Sequence, residues 1–160
     1  MDAPLPTTFL PDLDTVARLV VATAGGLLLG LDREMRGHAA GIRTHALVSL
    51  SSAMITLSAL LLYNQIAMKM DYVGLDPLRA IQGLAQAIGF IAAGTIIVAK
   101  GDVHNLTSAA NIWLACAFGI AAGAGQFGLA LAAFVLGVFV VTVVRILEHF
   151  IPGSNKTRHD

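Results

Sequence analysis

From Val103 to Val144 the chain contains no Asp, Glu, Lys or Arg. One membrane-crossing helix needs about 20 apolar residues. The run is therefore too long for a single span and too apolar to face water. "GAGQFG", Gly123 to Gly128, interrupts it. The expectation is two helices over about 107–123 and 126–149, the second stopped by Ile151-Pro152-Gly153. The literal GxGxxG in the break is not a dinucleotide fingerprint, because it follows an apolar helix rather than a strand.

The rest of the chain repeats the pattern. Three further runs, over about 13–31, 46–68 and 78–99, are long and nearly free of charge. Asp12 is placed to cap the first, and Asp76-Pro77 opens the third. With 56% apolar and 12% charged residues, the composition is far from the roughly 25% charge of a soluble domain. The formal net charge of zero gives no electrostatic footprint for nucleic acid. The single cysteine, Cys116, excludes an intrachain disulfide and a CxxC motif.

Lys and Arg concentrate in cytoplasmic loops. One side would hold Arg33, Arg36, Arg43, Lys100, Arg145, Lys156 and Arg158; the other would hold Arg18, Lys69 and Arg79. The expected fold class is an all-α integral membrane protein: a bundle of five transmembrane helices, N-terminus outside and C-terminus cytoplasmic. Residues 1–150 would form the membrane domain and 151–160 a short cytoplasmic tail. The acidic start, with Asp2, Asp12 and Asp14 and no basic region before the first apolar run, argues for a retained N-terminus rather than a cleaved signal.

Three groups of residues stand out against this background. The first is the charged loop after helix one, with Asp32, Arg33, Glu34, Arg36, His38, Arg43 and His45 within "LDREMRGHAAGIRTHALV". Ionisable groups at a membrane boundary face protein or water-filled cavities. Asp32, Arg33, Glu34, Arg43 and Thr44, closed by Thr107 and Asn111 from the start of helix four, are expected to form a cytoplasmic rim. Arg33, Glu34 and Arg43 would be its ion pairs. The second is the polar stripe Arg79, Gln82 and Gln86, spaced i, i+3, i+7, which would glue helices together or line a vestibule. The third is small residues at helix-packing spacing: Gly26 and Gly30, Gly119 and Gly123, with Gly89 and Gly94 on the third helix.

No Asp or Glu lies deep within any expected span. A Mg²⁺ path would be expected to offer oxygen ligands. Asp32 and Glu34, at the edge, are the weak metal candidates, and Mg²⁺ as a cofactor lacks intramembrane carboxylates to hold it. No nucleophile–base pair or phosphate loop supports an enzyme.

Three stretches together resemble the MgtC/SapB family of bacterial inner-membrane proteins. "GLLLGLDREMRGHAAGIRTHALV" is similar to its GxxxGxxRE…AGxRTxxLV signature. "LRAIQGLAQAIGFIAAGTII" is similar to the run leading to GIGFLGAG, and "NLTSAANIWLACAFGIAAGAG" to LTTAAxLW…GxG. The matching positions are Gly30, Arg33, Glu34, Gly41, Arg43, Thr44, Gly89, Gly94, Thr107, Ala110, Trp113 and Gly125; Asp32 stands where Glu is more usual. The resemblance implies a five-span protein linked to adaptation to low magnesium and, in pathogens, to survival in host cells. Some members act by binding other membrane proteins, including the F-type ATP synthase. The chain looks like a short form without the C-terminal cytoplasmic domain of several members, so virulence and ATP-synthase inhibition do not carry over directly.

The reading is a non-enzymatic regulatory protein of the bacterial inner membrane, multi-pass, whose partners are the lipid bilayer, other membrane proteins and a second copy of itself through the GxxxG faces. The alternative is a transporter or channel for Mg²⁺ or another small solute, with Gln82 and Gln86 on its path.

Overall fold

The computed structural model describes residues 11–38, 40–68, 74, 76–99 and 102–149. Among them the chain forms five α-helices and one short hairpin. In order they are α1 (Leu13–Met35), α2 (Ile42–Ala67), α3 (Leu78–Thr95), β1 (Ile97–Ala99), β2 (Asp102–His104), α4 (Leu106–Gly123) and α5 (Phe127–His149). Four of the helices, α1, α2, α4 and α5, are long and apolar enough to cross a membrane. Lys69, Lys100, Lys156, Arg158 and the expected tail 151–160 lie outside the described residues.

The helix ends follow from local chemistry. The Asp12 carboxylate accepts a hydrogen bond from the Thr15 N–H at 3.1 Å, and Asp76 accepts from the Leu78 N–H at 2.9 Å. α1 runs through the charged segment to Met35 rather than stopping at 31, and α2 begins at Ile42 rather than 46. α3 is shorter than the expected 78–99. After Thr95 the β-branched Ile96-Ile97-Val98 leaves the helix, and β1 pairs antiparallel with β2, Ile97 opposite His104 and Val98 opposite Val103. Asn105 then adopts a left-handed conformation with φ 67°, and its side-chain amide donates to the Thr95 carbonyl at 3.2 Å. It is the N-cap residue of α4 and accepts from the Ala109 N–H at 3.0 Å through its carbonyl, but its side chain closes the hairpin and does not cap the helix.

α2 is the centre of the packing. A Cβ on Gly26 of α1 would lie 2.6 Å from the His45 carbonyl oxygen, and one on Gly30 would lie 2.6 Å from the Ile42 Cα. From the other side, a Cβ on Gly119 of α4 would lie 2.2 Å from the Ser49 carbonyl oxygen, and one on Gly123 would lie 2.5 Å from that of Ala53. Both GxxxG faces are therefore used inside the chain, against one helix. This corrects the expectation that they join two copies. The Phe118 ring of α4 covers Gly25 of α1 and meets Phe134 of α5 edge to face, with centroids 6.0 Å apart. Arg18 pairs with Asp14 at 2.6 Å and donates to the Gly123 carbonyl at 3.2 Å, tying the start of α1 to the end of α4.

Gly89 and Gly94 do not share the packing role within the chain: nothing lies within 4 Å of where their Cβ atoms would be. Gly119→Ala should therefore lower stability by about 1–3 kcal/mol through backbone overlap. Gly89→Ala should be neutral or raise it by up to about 1 kcal/mol through helix propensity. Thermal unfolding of both variants in the same detergent checks the contrast.

Candidate functional site

The loop joining α1 to α2 and the start of α4 meet at one end of the bundle. Arg33 is the last buried residue of α1, only 3% exposed, and its guanidinium donates to the Ser108 hydroxyl on α4. One position earlier, Asp32 accepts from Arg36 at 2.5 and 2.7 Å, an i, i+4 pair on the open side of the helix.

Glu34 acts on α2. Its carboxylate accepts from the Ile42 N–H at 3.0 Å, at a helix start whose N-cap, Gly41, has no side chain to offer. The negative charge also meets the positive end of the helix dipole. A Cβ on Gly41 would lie 1.8 Å from the Glu34 carboxylate oxygen, so the glycine makes room for the acid. The Arg33, Glu34, Arg43 ion pairs expected from sequence are replaced by this arrangement. Arg43 is exposed and makes no ion pair with a described residue. Thr44 is half-buried.

Asn111 is 7% exposed, whereas Thr107 is exposed. The α4 hydroxyl that reaches Arg33 is that of Ser108, which sequence reasoning passed over. Asp32, Arg33 and Asn111 converge on a cleft between α1, α4 and α5, walled by Leu28, Leu29, Gly137, Val138, Val141 and Thr142.

A second polar feature was also missed. His45, Ser49, Ser52 and Thr56 fall at i, i+4, i+7, i+11 on α2, and all are at most 2% exposed. Ser49 donates to the Ala22 carbonyl at 2.7 Å. Ser52 donates to the Val48 carbonyl at 2.7 Å and lies 3.3 Å from the Cys116 sulfur. His45 Nδ1 lies 2.8 Å from the Gly41 carbonyl oxygen, which assigns its proton to Nδ1 and leaves Nε2 as an acceptor. The signal was present as four polar residues at helical spacing in an apolar run. It was hidden because no Asp, Glu, Lys or Arg marks it.

The stripe Arg79, Gln82 and Gln86 is exposed, on the face of α3 opposite its buried residues Leu84, Ile88 and Ala92. It lines no vestibule within the chain. Asp32 and Glu34 are each engaged with a neighbour, Arg36 and the Ile42 N–H. Among the described residues, no three His, Cys, Asp or Glu side chains gather where a metal ion would sit.

The geometry at Gly41 makes Glu34 and Gly41 a coupled pair. Glu34→Ala should destabilise by about 1 kcal/mol, the worth of a helix cap, and Gly41→Ala by a similar amount, through displacing the same carboxylate. The double variant should fall short of the sum by at least about 0.5 kcal/mol in a double-mutant cycle followed by unfolding. Strict additivity would mean that the carboxylate does not cap α2.

No solved structure matches the chain. The chain is 33% identical over 140 residues to YhiD of Escherichia coli (strain K12), whose name provisionally marks it as a magnesium transporter, covering 88% of this chain and 65% of that one. It is 33% identical over 137 residues to protein SapB of Bacillus subtilis, covering 85% and 57%. It is 32% identical over 121 residues to protein MgtC of Salmonella typhimurium (strain LT2), covering 76% and 48%. The chain thus spans less than two thirds of the length of these relatives. The family model for the MgtC family matches residues 19–150, from within α1 to the end of α5, and the chain belongs to the MgtC family.

Proposed function

We propose that this chain is a non-enzymatic regulatory protein of the bacterial inner membrane, acting in adaptation to low magnesium by docking on other membrane proteins. All five helices cross the bilayer in this reading, with the N-terminus outside and the Arg33 end in the cytoplasm, as the distribution of Lys and Arg suggests.

The observation that carries it is the outer face of α3. Gln82 and Gln86 are exposed there with Arg79, beside Gly83, Gly89 and Gly94, which have open space around them. Primary amides are costly against hydrocarbon unless another helix satisfies them. Glycines beside them let a partner backbone come close. α3 itself rests on α4 and α2 through Leu84, Ile88 and Ala92, which frees the opposite face for a partner.

The alternative, transport of Mg²⁺ or another small solute, draws on the name of one relative and on the buried stripe of α2. The stripe is bounded by Gly26 and Gly119 at backbone contact, which leaves little width for a hydrated ion.

The test is growth of a strain lacking this protein at low Mg²⁺, complemented by wild type or by Gln82→Leu with Gln86→Leu. The double variant should accumulate in the membrane at the wild-type level and fail to restore growth. Full restoration would reject docking through α3. Purified protein in proteoliposomes should show no Mg²⁺ flux; flux above empty vesicles would favour transport.

A further inference from the structure

We propose that the cleft between α1 and α5 is a binding site for one phospholipid, its acyl chain along Leu28 and Val138 and its phosphate at Asn111 and Arg33. α1 and α5 touch only slightly, because α1 packs mainly on α2 and α5 on α4, and the wedge between them opens to the outside of the bundle. Both helices are apolar enough to cross a membrane, so the wedge opens toward acyl chains. Leu28 is 56% exposed and Val138 42% exposed along it.

The cleft has a direction. Leu28 and Gly137 lie deeper along α1 and α5; Asp32 and Thr142 lie toward the end where α1 stops and α4 starts. The polar groups are thus gathered at one end and the aliphatic groups at the other, the polarity of a lipid.

The polar end carries an unanswered group. Asn111 is more than nine-tenths buried and lines the cleft, yet its carboxamide makes no hydrogen bond to any described residue. Its amide can donate to an acceptor placed in the cleft. The Arg33 guanidinium, held on Ser108, lines the same end and supplies positive charge, while the Asp32 carboxylate is paired with Arg36. Phosphate offers acceptors and negative charge together. A soluble anion would leave the aliphatic walls uncovered, and a hydrocarbon alone would leave Asn111 unanswered. A phospholipid satisfies both. The inference rests on the placement of α1 and α5 in the membrane and is independent of docking at α3.

The experiment is native mass spectrometry of the protein reconstituted in a phosphatidylethanolamine–phosphatidylglycerol bilayer and released into mild detergent. Wild type should retain one phospholipid per chain. Val138→Trp, which fills the wedge, and Asn111→Asp, which sets a negative charge against the phosphate, should each lower retention about tenfold, the effect expected of one lost charged contact. Leu131→Trp, on α5 outside the cleft, should retain lipid as wild type does. Thermal unfolding of each variant separates loss of lipid from loss of fold, and Val141→Trp replaces Val138→Trp if the latter does not fold. Equal retention by wild type and both cleft variants would overturn the site, leaving only non-specific boundary lipid. Displacement of the lipid by millimolar inorganic phosphate would also overturn it, in favour of a soluble anion.

Discussion

The structure depends on how closely three backbones approach. α2 is gripped on one side by Gly26 and Gly30 of α1 and on the other by Gly119 and Gly123 of α4, at separations that leave no room for a single Cβ. In a bilayer there is no hydrophobic gain from moving an apolar side chain from lipid to protein, so helices associate through dispersion contacts and short polar contacts. The glycines permit both. They bring carbonyl oxygens of α2 against neighbouring helices, and they place the Ser49 hydroxyl within reach of the Ala22 carbonyl.

The same grip fixes the charged end of the bundle. Once α1 and α4 lie on α2, Arg33 is carried under the start of α4 and meets Ser108, while Glu34 is carried over the start of α2 and meets the Ile42 N–H. Neighbouring residues on one helix thus serve two different helices, because a step of one residue turns a side chain by about 100°. The acid-base alternation in the sequence reflects this division of labour rather than a chain of ion pairs, and it leaves Arg43 exposed. α3 and α5 stand outside the grip. α3 turns its amides outward, and α5 leans on α4 through Phe134, Ala130 and Gly137 and leaves the wedge against α1.

The helices were legible because an apolar run of about 20 residues has few other structures available to it. Their ends were less so. The charged residues through Met35 were read as loop, yet Asp32 and Arg36 support one another across a helical turn. The hairpin at Ile97–His104 was missed because β-branched residues in an apolar run suit a buried helix and a strand alike. Of the rim, Arg33, Glu34 and Asn111 were singled out for their residue types, but the partners of Arg33 and Glu34 were not, and Ser108 was missed because nothing in the sequence separates it from Thr107.

What the sequence by itself determined is the set of apolar helices, the concentration of charge between the first two, and the family signatures. These depend on composition and spacing along the chain, which solvent transfer and helical periodicity read directly. The tertiary structure alone decided which glycines face a helix and which face open space, and that the stripe of α3 lies outside while the stripe of α2 lies inside. It also decided that Asn111 lines the cleft between α1, α4 and α5 beside Asp32 and Arg33, with no hydrogen bond to a described residue. The physical reason is rotational: an all-apolar helix has no strong preference for which face it buries, so only contact between backbones at the glycines sets the angle of each helix and with it the neighbours of every polar group.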